Sequence, residues 1–336
     1  MSLQRLSKPW EKTKMKMNLK SVLLGATASV FLLAGLNVQA RAEFPEKPVE
    51  MTVLFGGTAQ TIGQLLADLM SKNLANPVVA VSRTGGGGAV GYSHVQSTAA
   101  DGYNVVWNSN SVSTSHYRGN MKFNYEAFTP IARVSVETPA LAVSADSGWK
   151  SLEDMAKAVK AGDSKLKVGI SGNGSFTHLT SAALFDKMGI ADKIVYVPYG
   201  KGKAPVELLA KRVDAAVQWP GQFIPHQQAG KLSILCVTGK DRIPQLKDTP
   251  SCAEAGATDL NITMWRGLAA PAGTPADVVA KLQDAAKAAI ASDEFQSAAG
   301  KIGFEASFLP ADEFGSLIAS DDAAISDLMG KLGLKK

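Results

Sequence analysis

The sequence predicts an α/β protein of two lobes, each a mainly parallel sheet flanked by helices. Three observations predict it. Short β-branched runs alternate with helical stripes from Val49 to about Gly239, the pattern of βα units in a parallel sheet. The 336 residues suffice for two ordinary cores. No repeat or low-complexity linker separates the halves, so two lobes must be joined by short, extended crossings.

In order, the strands are VEMTVLF, PVVAVS, YNVVWNS, KLKVGIS, KIVYVPY, VDAAVQW, KLSILCVTG and ITMWRGLAAP. The helix QTIGQLLADLMSKNL places Ile62, Leu65, Leu66, Leu69 and Leu74 on one stripe. AVGYSHVQSTA, THLTSAALFDKMG, KAPVELLAKR and FIPHQQAG follow later strands as helices. SLEDMAKAVKAG has a start signal at Ser151-x-x-Asp154 and a stop at Gly162. From Thr274 onward the chain reads as helix only. The stretches PIARVSVETPALAV and NITMWRGLAAP are the candidate crossings. The expected division is therefore a leader over 1–42, a discontinuous first lobe over 43–135 with 268–336, and a second lobe over 136–267.

The leader combines a basic start, the apolar run SVLLGATASVFLLAGL and a small-residue exit, Ala40-x-Ala42, the three parts of a secretory signal. The apolar run is short for a bilayer span, which takes roughly 20 residues. Cleavage is expected after Ala42. Met15 or Met17 is a candidate initiator, given the long start. The leader holds 7 of the 35 basic and 1 of the 30 acidic residues, leaving 28 against 29, a net −1. Without its leader the chain has no basic excess to recruit nucleic acid.

Cys236 and Cys252 lie 16 apart. Export permits a bridge between a strand end and the next loop, and spacing alone leaves two separate thiols equally open. The four histidines are scattered, so no metal and no cofactor are expected. Gly86-x-Gly88-x-x-Gly91 spells a dinucleotide fingerprint, but it follows the second strand and no strand-ending acid lies about 20 residues on. It reads as a turn with tight helix–sheet packing. Two other loops, LFGGTAQTIG and GISGNGSFTHL, join strands to helix N-termini, where free amides and the helix dipole bind anions. Ser175 and His178 are three apart and allow a hydrolytic reading; the plainer one is a helix cap and a packed ring. Asp321 and Asp322 read as solvated acids on a late helix.

Eleven segments in one order then become recognisable, among them FPEKPVEMTVLFGG, NPVVAVSRTGGGGAVG, ADGYNVVWNS, FTPIARV, SGNGSFTHL, YVPYGKGKAPVELL, RVDAAV and WRGLAAPAGTP. From about Phe44 to its end the chain resembles the periplasmic receptors of tripartite tricarboxylate transporters, a family of bacterial solute-binding proteins. The resemblance implies a two-lobed periplasmic binding protein, type II-like, with the ligand cleft between the lobes. It implies that backbone amides of the first loop, here Gly56, Gly57, Thr58, Ala59, Gln60 and Thr61, grip a carboxylate. Ser171, Gly172, Asn173, Gly174, Ser175 and Thr177 would grip from the second lobe. Asn108, Ser109 and Ser111 would form a hydroxyl-bearing wall, and Tyr199 and Gln218 would line the second lobe.

The chain departs from the family pattern in places. Its first loop is two residues shorter and lacks prolines, Gln60 stands where Asp is common, and Gln218-Trp219 replaces Asp-Ser. Two fewer acids imply a site that tolerates more anionic charge, since desolvating a carboxylate beside an acid costs several kcal/mol, or one reshaped for a different solute. Trp219 offers a stacking face or packs under the loop. Arg83 and Arg266 are candidate charge partners for an anion, or members of salt bridges.

The expected function is capture of a small organic anion, a carboxylate, for integral membrane permease subunits, by a monomer, without catalysis. The alternatives are an exported hydrolase using Ser175 and His178, and a ligand sensor for a membrane kinase.

Overall fold

Valine-rich runs form the first three strands, β1 (Val49–Val53), β2 (Val78–Ser82) and β3 (Asn104–Ser109). The computed structural model that carries them describes residues 44–336 apart from Lys201. The leader and its expected cleavage after Ala42 lie outside the described residues. β1 pairs in parallel with β2 and β3, and the helices α1 (Thr58–Ser71) and α2 (Ala89–Gln96) make the connections. A short helix α3 (Ser111–Tyr117) follows β3, and β4 (Phe128–Glu137) closes this first passage.

The chain then enters a second sheet through β5 (Ala140–Ser144), α4 (Leu152–Ala161), β6 (Leu166–Ile170), α5 (Phe176–Lys187), β7 (Ile194–Pro198), α6 (Ala204–Leu209), β8 (Ala215–Gln218), α7 (Pro220–Gln228) and β9 (Leu232–Val237). It returns through β10 (Met264–Pro271), followed by α8 (Ala276–Ala291), α9 (Asp293–Ile302), β11 (Glu305–Pro310) and α10 (Ala311–Lys331). The six-stranded sheet has the order β11-β4-β10-β3-β1-β2, and the five-stranded sheet β7-β6-β8-β5-β9.

Side chains alternate across β1 and β3, as the pleat requires. Val49, Met51, Val53, Val105 and Trp107 face a core shared with α1, α8 and α9. Val106 faces the opposite core, with Tyr92 and Phe314. β10 is buried along its whole length because helices cover both faces, which explains its near-continuous apolar reading. The second sheet is covered the same way, by α4 and α5 on one face and by α6 and α7 on the other. Ser151 caps α4 by accepting from the Asp154 amide (3.0 Å), as its spacing predicts.

Two expectations are revised. The sheets are mixed: among the described residues five of the nine strand pairings are antiparallel, all made by β4, β5, β10 and β11. The strands that carry the chain between sheets are not parts of βα units, so their direction is free of the right-handed crossover rule. The tail is also not all helix. β11 adds an edge strand beside β4. Gly303, left-handed at φ 88, ends the helix before it, and Pro310 sits at its far end.

The crossings are short and tied to one another. The Thr238 amide donates to the Pro139 carbonyl (2.9 Å), the Ile262 amide donates to the Thr238 carbonyl (2.8 Å), and the Thr238 hydroxyl donates to the Ile262 carbonyl (2.7 Å). Nearby, Cys236 and Cys252 form a buried disulfide from β9 to the following loop. Closing a loop of this size restricts the unfolded chain by about 3 kcal/mol. α10 starts on the six-stranded sheet, and its last turns set Ile325 and Met329 against Leu179 of α5, beneath the five-stranded one. Among the described residues no helix is long and apolar enough to cross a membrane.

Candidate functional site

The β1–α1 loop turns at Gly57, whose φ of 67° favours glycine. No side chain caps α1 there, so its first amides depend on the loop itself or on a guest. The Gln60 and Thr61 amides both donate to the Gly57 carbonyl (3.0 and 3.1 Å). Thr58 and Ala59 are buried, and the Ala59 carbonyl accepts from the Trp107 indole (2.9 Å). Gln60 and Thr61 are exposed in an outer recess with Gln64 and Asp68. Helical spacing accounts for this: Ala59, Ile62 and Gly63 face the sheet, which turns residues 60 and 61 outward.

The β6–α5 loop is more self-contained than its glycines suggest. The Ser171 amide donates to Thr177 Oγ1 (2.9 Å), the Ser175 amide to the Gly172 carbonyl (3.1 Å), and the Gly174 amide to His178 Nδ1 (3.2 Å). Those three amides are spent inside the loop. Ser175 caps α5 by accepting from the His178 amide. The α5 amides left without an intrahelical acceptor are those of Phe176 and Thr177, joined in the site by the hydroxyls of Ser171, Ser175 and Thr177. Gln218 is buried and donates to Ser171 Oγ (2.9 Å), so it orients that hydroxyl. Tyr199 is half-buried in the core beside α6 and α7.

The wall after β3 divides likewise. Asn108 Oδ1 accepts from the Tyr92 hydroxyl and the Ser109 amide (both 2.8 Å), so Asn108 and Ser109 brace the turn. Burial pushes the Tyr92 phenol up, which keeps it a donor. Ser111 reaches the cleft, and its hydroxyl is buried without a partner. Asp321 and Asp322 are not solvated. Asp321 accepts from Asn110 Nδ2 (2.6 Å) and the Trp265 indole (2.9 Å), Asp322 accepts from the Tyr117 hydroxyl (2.6 Å), and burial raises the Asp321 carboxyl.

Arg266, a candidate charge partner from the sequence, and Glu137, which the sequence did not suggest, dominate the floor. Arg266 of β10 and Glu137 at the end of β4 are each 1% exposed and form an ion pair. Arg266 Nε donates to Glu137 Oε1 and Nη2 to Oε2 (3.4 Å). Burial pushes the Glu137 carboxyl up, and the guanidinium pulls it back. The Trp219 ring lies 5.1 Å from the guanidinium carbon, and it packs with Phe176 and Met264. Trp219 thus both stacks on a cation and fills the floor. Arg83 is instead paired with Glu50 (2.7 Å).

These pieces enclose a cavity of about 20 Å³ between the sheets, about the space one water centre occupies. Phe55, Gly56, Ser111, Met264 and Arg266 line it from one side and Ser171, Ser175, Phe176, Thr177, Gly202 and Trp219 from the other. A wider recess of about 580 Å³ adjoins it, sharing Phe55 and Ser171 and including Gly85–Gly87, Gly172, Asn173 and Lys203. The glycine run therefore forms part of this rim. Gly85 to Gly88 all have positive φ, and Asn120 Nδ2 donates to both the Gly86 and Asn173 carbonyls (3.0 and 3.3 Å). Gly91 packs where a side chain would strike Leu54 and Thr52. Sequence reasoning missed Glu137, Phe176, Gly202 and Met264. A charge inside the apolar strand MWRGLAAP was the available signal that Arg266 needs a buried partner.

Ser175 and His178 are not placed for hydrolysis. His178 Nδ1 is occupied as an acceptor, and the ring stands edge-on to Tyr196 at 4.7 Å. Among the described residues no cluster of three or more His, Cys, Asp or Glu could hold a metal. Burial, with the Arg118 charge added, lowers the His178 pKa from 6.5 to about 4. Between those values the unfolded chain binds the extra proton and the fold does not. His178 therefore contributes stability in full above pH 6.5, and loses it as the pH falls toward 4, by about 3 kcal/mol. His178→Gln keeps an acceptor without the titration. Urea unfolding of both proteins at pH 7.5 and 4.5 checks this, and a pH-independent difference between them excludes it.

Two lobes closing on a small polar cavity, with helix N-termini at its edge, define a solute-binding architecture. The family of tripartite tricarboxylate transporter receptors matches residues 62–334, and the chain belongs to that family. It is 29% identical over 290 residues to the UPF0065 protein in the tcbD-tcbE intergenic region of a Pseudomonas species, covering 84% of this chain and 85% of that one. The structure of the periplasmic binding protein BugD superposes with a TM-score of 0.80 at 28% identity, over 87% of this chain and all of BugD. An R. palustris protein solved with adipate gives 0.81 at 26% identity, over 87% of this chain and 99% of that one.

Proposed function

We propose that this protein captures a small carboxylate between its lobes in the periplasm and presents the closed form to the membrane permease subunits of a tripartite tricarboxylate-type transporter. The observation that carries the reading is the cavity edged by Gly56 of the β1–α1 loop and by the N-terminus of α5, with hydroxyls of Ser111, Ser171, Ser175 and Thr177 around it. The R. palustris relative with adipate supports a carboxylate guest. Gly56, Gly57, Thr58 and Ala59 serve from the first lobe, and Gly172, Asn173 and Gly174 shape the opposite rim. Asn108, Ser109, Tyr199 and Gln218 act behind the contact surface, and Gln60 and Thr61 at the outer edge.

The lobes divide at the two crossings, so that β4 through Glu137 and β10 from Met264 stay with the first lobe rather than ending it at 135 and resuming it at 268. The leader is removed after Ala42, and the receptor acts as a monomer without turning its solute over. A guest that touches both lobes only when they are closed shifts a pre-existing balance toward closure. A thermal-shift screen of the leaderless chain against adipate, succinate, malate and citrate tests the reading. A guest at 100 times its Kd stabilises by about 2.7 kcal/mol. Absence of a shift with every carboxylate rejects it.

A further inference from the structure

We propose that Arg266 is the residue that selects a carboxylate, with Nη1 as its anchor and Glu137 as the group that positions it; this rests on the carboxylate reading above. Arg266 spends Nε and Nη2 on Glu137, and Nη1 is buried with no partner. A buried charged donor left unpaired is costly, so its persistence calls for an acceptor from outside the chain. Arg266 lines the small cavity, and so does Ser111, whose hydroxyl is likewise buried and unpartnered. Two unused donors on the same wall suit the two oxygens of one carboxylate.

The rest of the floor fixes the guanidinium. Glu137 holds one edge, and Trp219 lies 5.1 Å from its carbon, so the plane is set before a guest arrives. The Arg266–Glu137 pair is neutral overall, so one bound carboxylate adds a single negative charge. The first-turn amides of α5, at Phe176 and Thr177 on the facing wall, oppose that charge. As it stands the cavity holds about one water, so a carboxylate end enters it by parting the walls slightly, while the remainder of the guest extends into the recess past Ser171. The guest class is therefore a small carboxylate recognised by one end, with tolerance in chain length at the other.

Isothermal titration of propionate, succinate and adipate into wild type, Arg266→Lys and the double variant Arg266→Met/Glu137→Gln tests this. The double variant leaves no unpaired buried charge, and thermal unfolding reports its fold. Removing one member of a buried hydrogen-bonded charge pair weakens binding by about 30-fold or more. That loss is expected for every probe that wild type binds, with the melting temperature retained. Arg266→Lys, which keeps the charge but lacks the fork, is expected to lose about tenfold and decides the matter if the double variant does not fold. Affinities within about threefold of wild type overturn the Arg266 assignment and leave the carboxylate reading standing. Wild type that binds none of the three probes, and gives no shift in the carboxylate screen, overturns the reading and the assignment with it.

Discussion

Glu137→Leu is expected to cost about 3–5 kcal/mol of stability, the loss typical when one partner of a buried ion pair is removed. Arg266 is 1% exposed and its strand is covered on both faces, so water cannot take over the lost carboxylate. The variant keeps nearly the same volume, which makes the uncompensated charge the main source of the loss. Adding Arg266→Met should restore most of it, because two apolar side chains replace a buried pair at little or no net cost. Urea denaturation midpoints for the two single variants and the double variant read this as a double-mutant cycle. A Glu137→Leu loss below about 1 kcal/mol would show that the pair behaves as a solvent-screened surface contact.

Gly221→Ala should weaken solute binding by about 5- to 150-fold while leaving the unfolding temperature unchanged or raised. Gly221 lies in the first turn of α7, where alanine is the better helix former by up to about 1 kcal/mol. With the lobes placed as they are here, a β-carbon there would sit 3.1 Å from the Ile302 carbonyl carbon and closer still to its oxygen, at the end of α9 beneath the other sheet. Overpacking of this kind costs about 1–3 kcal/mol, and only the closed form bears it. Titration with the best carboxylate from the screen measures the loss, and small-angle scattering should find the variant more open with solute present. Unchanged affinity would mean that closure does not bring α7 and α9 into contact.

Much of the fold was legible because its signals are local. Strand–helix alternation, the Ser151 cap and the glycine turn at Gly85–Gly88 are each set by residues a few positions apart. The crossings at Pro139 and Ile262 were legible as extended segments, but strand direction leaves no mark on composition, so the antiparallel pairings were not. β11 was hidden because its six residues lie between two helices and alternate only weakly. The site was legible as two loops and less so as atoms. His178, four residues beyond Gly174, takes the amide that the glycines seemed to offer. Asp321 looked solvated because its partners, Asn110 and Trp265, lie 211 and 56 residues away. The Cys236–Cys252 bridge was an open choice until the two thiols were seen side by side.

The last turns of α10 have a mechanical consequence. Ile325 and Met329 rest on Leu179, while the start of the same helix is bound to the other half of the molecule. Spreading the jaws must either peel these two side chains into water or drag the rod along with α5. Trimming these last turns is therefore expected to make the empty receptor gape, which small-angle scattering of the shortened and full-length proteins would read.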